Sequence, residues 1–287
     1  MNAVTDAKTG GGVLELSGLR ETDRDRYLAC LLTPADRRDA VAALYAFNAE
    51  IARIRDLVRE PLPGEVRLQY WRDLLAGAAH GATEANPIAA ALLAAIHHHH
   101  LPVSALNGML DARVFDLYDD PMEASAMFEG YAGETAAALI QLASVVLDPE
   151  AAAGTATVAG HAGVAQAIAG ALLLLPTHRA RGQLYLPLEI LSAVGLDRDS
   201  FLAGQDKVRI SAAVEAFAGL GRDHLRKARD AGPPPRSLVP AYLTVALAEG
   251  VLLAAQKRGA DVLDAGLRQP QWRRQLRMLS ASVKGSF

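Results

Sequence analysis

One cysteine, Cys30, stands in 287 residues, so no disulfide can form within the chain. It lies in the apolar stretch RYLACLLTP, where the simplest reading is a small buried hydrophobe. A reducing compartment fits that cysteine count. Aromatic residues are scarce at 5%, and no run of β-branched residues alternates with period two, which argues against a sheet. An excess of one charge is missing as well: 29 basic and 32 acidic residues leave −3, without the electrostatic footprint of a nucleic-acid binder. The local cluster QWRRQLR, with Arg273, Arg274 and Arg277 beside Trp272, has the pattern of a solvated helix face. The start, MNAVTDAKTGGGVLELSG, lacks the apolar core of a secretory signal and the arginines of a transit peptide; its Gly10–Gly12 run predicts a flexible beginning. No segment reads cleanly as a membrane span. Leu238 to Gln256 comes nearest, but it contains Pro240, Glu249 and Gly250, and a buried core helix is expected there. Peripheral membrane contact needs only an exposed apolar face and stays open.

What the chain does have is alanine and leucine, within a hydrophobic share of 51%. Both are strong helix formers, and three- and four-residue apolar steps run through nearly every segment. Helices are expected over Asp23–Leu32, from Pro34 to Glu60 with Thr33 as N-cap, and over Glu65–Ala79, with PLPG at 61–64 as a breaker. Further helices are expected over Pro87–His100, Val103–Tyr118, Met122–Leu147 with a kink near Gly130 and Gly133, and Ala151–Leu175. After the loop PTHRARGQLYLP come a short helix, a helix ending at Asp230, and two more beyond GPPPR. The product is an all-α single-domain bundle over 21–287, behind a flexible 1–20. The run His97–His100 is not a metal site, because consecutive helical residues point about 100° apart and cannot converge on one ion.

Two segments carry the chemistry. LYAFNAEIARIRD is followed by GEVRLQYWRDLLAG, and much later comes HAGVAQAIAGALLLLPTHRARGQLYLPLEIL. Their order and separation resemble the squalene/phytoene synthase family, and LDARVFDLYDDP and FEGYAGETAAALIQL fit its middle helices. The resemblance covers residues 22–280 and implies an isoprenoid synthase fold with a central apolar cavity. Catalytic members join two prenyl diphosphates head to head. They hold magnesium between two aspartate-rich motifs, because diphosphate leaves only when its charge is neutralised and magnesium demands several oxygen ligands.

Carried over residue by residue, the first motif falls on Ala52, Arg53 and Asp56, where only the last is acidic. The second, anchored on GQLYLP, falls on Leu174 and His178; the asparagine before it falls on Gly170, and the glutamine on Ala167, next to Gln166. Pro176, between Leu174 and His178, predicts a helix end or kink. This paired loss resembles one branch of the family, that of the respiratory complex I assembly factor and its bacterial relatives. The branch implies a non-catalytic role in building NADH:quinone oxidoreductase, with complex I subunits or assembly intermediates as partners. No cofactor is expected, and the expected location is the cytoplasm, against the inner face of the inner membrane (the matrix side in an organelle).

Under that reading a cavity walled by Leu44, Tyr45, Ala52, Gln166, Gly170 and Leu174 is expected to take a prenyl chain, a lipid or a partner helix, with Arg53, Arg55 or Arg181 on a phosphate and Asn48, Asp56 and Tyr185 as further ligand-site residues. The competing expectation is a packed core without ligand. RLQYWRDLL offers Arg67, Gln69, Trp71 and Arg72 as a partner surface, against the alternative that Tyr70 and Trp71 pack the helix onto the bundle. Two other functions stay open: a magnesium-dependent prenyltransferase with unusual ligands Glu50, Asp56 and Asp116, and a lipid carrier unrelated to complex I.

Overall fold

Helices fill the residues that the computed structural model describes, 11–78 and 86–287, and no strand occurs among them. In chain order they are α1 (Gly11–Thr22), α2 (Arg24–Leu31), α3 (Ala35–Ala52), α4 (Ile54–Leu57), α5 (Pro61–Leu75), α6 (Pro87–His99) and α7 (Val103–Val114), which a 3₁₀ turn extends through Phe115–Leu117. Next, α8 (Ser125–Ala132) passes through a π-helical turn (Gly133–Ala137) into α9 (Ala138–Leu147). Then come α10 (Pro149–Ala153), α11 (Ala156–Leu173), α12 (Leu175–Ala180), α13 (Leu188–Ala193), α14 (Arg198–Ala203) and α15 (Lys207–Asp230). The chain closes with α16 (Val239–Tyr242), α17 (Ala248–Arg258) and α18 (Gln271–Lys284).

Two apolar clusters form the core. One gathers Leu44 and Phe47 of α3, Leu92 of α6, Leu106 and Met109 of α7 and Leu142 of α9. The other gathers Phe128 of α8, Ile168 of α11, Phe217 of α15 and Leu252 of α17. Cys30 is buried with the first, and burial pushes its thiol up to about 12. α11 lies at the centre. A Cβ added at Gly163 would sit 2.4 Å from the Ala137 backbone, so the π turn and α11 touch main chain to main chain. By length and composition the helical stretches Ser125–Leu147 and Ala156–Leu173 would each suffice to cross a bilayer. That is more than the sequence reading allowed. Here 56% of each window is buried inside the bundle, which accounts for their apolar character.

Several boundaries differ from expectation. The flexible start expected over 1–20 is contradicted where it is described: helix α1 occupies 11–22 and buries Leu19, while 1–10 lie outside the described residues. Thr33 is not the N-cap of α3: its hydroxyl donates to the Ala29 carbonyl (2.9 Å) and closes α2, leaving Pro34 at the cap. PLPG begins a helix instead of ending one, because Pro61 suits the first turn, where no amide donor is needed. The bare Cα of Gly64 makes room for Leu117, whose Cδ2 lies 2.5 Å from where a Cβ would stand. The stretch 238–256 is no single core helix. Its two halves, Arg236–Tyr242 and Val245–Leu263, meet at 60°, with Pro240 in the first turn of α16. His100 ends α6 in the left-handed region (φ 51°), so the histidine run serves as a helix terminus.

Gly163→Ala drives a methyl into the Ala137 backbone. A loss of at least about 1–3 kcal/mol is expected, read as a lower urea midpoint with unchanged slope.

Candidate functional site

A cavity of about 860 Å³ opens between the two core clusters, a size suited to a lipid-like ligand. Its apolar wall comes from α8, α11 and α17, through Phe128, Leu173, Leu174, Leu247 and Val251. Space exists because α11 presents small residues there, Ala167, Gly170 and Ala171, opposite Asn48 and Ala52 of α3. The rim is charged. Glu21, Asp23, Arg24 and Asp25 line it together with Arg268, Gln269, Gln271 and Arg274, and the two groups meet where Arg24 donates to Gln271 (2.9 Å) and Arg274 to Asp25. Seven arginines and five carboxylates line the whole, so the cavity is weakly cationic.

Both motif segments reach this cavity at helix breaks. α3 ends at Ala52, Arg53 takes the C-cap, and α4 restarts for one turn that carries Arg55 and Asp56. α11 ends at Leu173, Leu174 takes the C-cap, and α12 restarts with Pro176 in its first turn, as the proline predicts. Across the gap Arg181 donates to the carboxylate of Asp56, so the remaining acid of the first segment is bound by a cation from the second. Arg55 reaches Asp119 (3.4 Å) and the Val58 carbonyl (3.4 Å), while its buried Nε has no partner. Arg53 turns back to Glu50 (3.2 Å).

Below these charges lies a buried carboxylate. Asp116, 6% exposed, accepts from Arg113 (2.9 Å), Tyr131 (2.9 Å) and Tyr185 (2.7 Å). Arg113 also donates to the Tyr131 oxygen (2.6 Å), and Gln183 donates to the Asp116 carbonyl (3.1 Å). Burial raises the pKa of both phenols well above the ordinary tyrosine value, and the Asp116 charge adds to this at Tyr185. They therefore stay protonated and donate. For Arg113, burial works against the cation, but Tyr131 and Asp116 outweigh it, and the guanidinium is held charged. The Nε of Arg113 and Nδ1 of His178 are also buried without partners, and both residues line the cavity. Burial pushes His178 down to about 4, and its ring rests on Tyr185 at 4.7 Å.

Of the residues expected at a ligand site, Asn48, Arg55, Asp56, Gln166, Gly170, Arg181 and Tyr185 line one cavity together with Ala52, Leu174 and His178. Gln166 is anchored there by Thr244 (3.3 Å). Leu44, Tyr45 and Arg53 do not join them, Leu44 being fully buried in the first core cluster. Tyr45 is 2% exposed and sits behind Arg26, whose guanidinium covers its ring at 5.7 Å. Arg53 is drawn back along α3 by Glu50, which likewise lies off the cavity lining. The proposed partner surface loses its anchor, because Trp71 is 5% exposed and packs edge-on against Phe47 at 5.1 Å. Arg67 and Gln69 remain exposed, and Arg72 is tied to Asp111 (2.7 Å). Sequence reasoning missed Arg113, Tyr131, Gln183 and Arg268. An Arg–Asp pair three apart in ARVFD was a visible signal for Arg113; the other three meet the site through tertiary packing alone.

Magnesium requires several free oxygen ligands. Ala52 and Leu174 supply none, Arg181 occupies Asp56, and Arg113, Tyr131 and Tyr185 saturate Asp116. Among the described residues no group of three or more His, Cys, Asp or Glu side chains is placed to hold a metal. The donor set does not fit a magnesium cluster.

Two measurements test this arrangement. Asp116→Ala leaves Arg113 buried without its partner, and a loss of about 3–5 kcal/mol is expected in chemical denaturation. His178 is neutral when folded and titrates near its ordinary value when unfolded. Its contribution is complete above about pH 6.5 and is lost as pH falls towards about 4, by about 1–3 kcal/mol. His161, lowered by burial and by His224, acts in the same direction. His178→Phe should flatten the fall of stability between those pH values.

Comparison with known proteins agrees with this fold. The family model described as squalene/phytoene synthase matches residues 19–279. A protein named NADH dehydrogenase (ubiquinone) complex I, assembly factor 6, from Rattus norvegicus is 30% identical over 252 residues, 88% of this chain and 75% of the relative. Its Homo sapiens counterpart is 29% identical over the same shares. Among solved structures, a dehydrosqualene synthase in complex with ligand superposes with a TM-score of 0.79 at 16% identity, covering 96% of both chains. Squalene synthase HpnC from Alicyclobacillus acidocaldarius gives 0.68 at 18% identity, over 85% of this chain and 94% of that one. On the span of the family match, the chain belongs to the squalene/phytoene synthase family.

Proposed function

We propose that this chain acts in the assembly of respiratory complex I as a non-catalytic member of its family, and that its cavity takes an anionic prenyl lipid. The observation that carries the reading is the Arg181–Asp56 pair, which puts a cation where the fold's catalysts need metal-held acids. A guanidinium at that place binds phosphate directly, through charge-assisted hydrogen bonds, without a bridging ion. The cavity also carries unmet donors. A buried N–H without a partner is costly, and the Nε groups of Arg55 and Arg113 stand in that state beside the apolar wall. At the rim Arg268 has no hydrogen-bond or ion-pair partner among the described residues. An amphiphile with an anionic head and a prenyl tail satisfies both halves of the lining. Likeness to proteins named as complex I assembly factors supports the assembly role.

Deleting the gene and measuring assembled NADH:quinone oxidoreductase on native gels tests the role. A reduced level is expected, and unchanged levels would overturn it. Native mass spectrometry of the purified chain should show a bound anionic prenyl lipid that Arg55→Ala loses. Squalene-type product formed from farnesyl diphosphate and magnesium, and abolished in Asp56→Ala, would overturn the non-catalytic reading.

A further inference from the structure

α18 packs on the bundle through one side only. Met278 and Ala281 are buried, and Arg274 is bound to Asp25 of α2. The opposite side is apolar and open. Trp272, Leu276, Leu279 and Val283 follow at steps of four, three and four, which sets them in one stripe along the helix. Their exposures are 57%, 58%, 42% and 76%. Elsewhere exposed apolar side chains such as Val208 and Leu253 stand apart from one another in sequence, which is ordinary. The shorter row Leu62, Val66 and Tyr70 on α5 has acidic neighbours, Glu65 and Asp73, that the α18 stripe lacks. Four in a stripe on one terminal helix is not ordinary.

The charges around the stripe name its partner. From 265 to 287 the chain has five basic residues and no acidic one. Arg273, Arg277 and Lys284 recur at steps of four and seven, along a flank of the apolar stripe. Arg273 lies over the Trp272 ring at 5.1 Å, and neither it nor Lys284 has a carboxylate partner among the described residues. An apolar stripe bordered by cations, with a tryptophan at its edge, is the pattern of a helix lying in a membrane interface. Long basic side chains reach from such a helix to lipid phosphates.

We infer that α18 is a membrane-docking helix, which lies on an anionic phospholipid bilayer with Trp272, Leu276, Leu279 and Val283 in the acyl boundary. Placement relative to the cavity supports the same partner. Arg268, Gln269, Gln271 and Arg274, the residues that lead into and begin α18, belong to the cavity lining. Docking through α18 brings Arg268 and Gln269, which lead into that helix, near the plane of the lipid headgroups. The surface is independent of what the cavity holds.

The test uses the full chain and large vesicles of phosphatidylcholine, with or without an equal share of phosphatidylglycerol. Co-sedimentation is expected with the anionic vesicles, falling at least about fivefold as NaCl rises from about 0.1 M to about 0.5 M. The double variant Leu276→Ser/Leu279→Ser should bind roughly tenfold more weakly with an unchanged circular-dichroism melt. Leu62→Ser/Val208→Ser should bind as the parent does. In the unmodified chain, emission of the exposed Trp272 should shift to the blue and be quenched by bromine-labelled acyl chains, while the buried Trp71 adds a background that vesicles leave unchanged. Failure to bind anionic vesicles, equal binding by the α18 variant, or absent quenching would overturn the inference. A concentration-dependent dimer that Leu276→Ser/Leu279→Ser abolishes without lipid would overturn it as well, in favour of a second copy on this face.

Discussion

The buried carboxylate of Asp116 organises the centre of this molecule. It accepts from α7, α8 and the loop after α12 at once, through Arg113, Tyr131 and Tyr185. An acid this deep is tolerated only when its oxygens are filled, and each of its partners is itself tied into a different helix or loop. Gln183 adds a bond to the same residue's carbonyl. The network thereby fixes the floor of the cavity, and the cavity's width follows from where those elements are pinned.

Around that floor the charges replace one another instead of assembling a metal site. Arg181 closes on Asp56, Arg55 leans towards Asp119, and Arg53 retreats to Glu50. Cations thus stand where the fold's catalytic members need ligands, and the apolar wall of α11 is left intact.

Most of the fold was legible. Alanine-rich segments with three- and four-residue periodicity announced helices, and Pro176 marked a true break between α11 and α12. The break after Ala52 was not legible, because IARIRD contains neither glycine nor proline and propensity alone would continue the helix. The site was legible where it rested on motif positions: Ala52, Asp56, Leu174 and His178 do converge. It was illegible where it rested on packing. Nothing in FEGYAGE says that Tyr131 will donate to an acid fifteen residues earlier, and the spacing in RLQYWRD cannot say that Trp71 faces Phe47. Helical periodicity assigns faces, but which face meets which neighbour is decided by the whole bundle.

The Arg181–Asp56 pair has a consequence for how such a chain can change. An acid restored at His178 would stand beside Arg181, whose positive charge already acts on that ring. It would pair with the guanidinium before it met a metal. An acid restored at Leu174 alone would add one oxygen donor to an incomplete set. No single acid at these positions completes a metal site, so a magnesium cluster in this cavity would take several concerted substitutions, the Arg181–Asp56 pair among them.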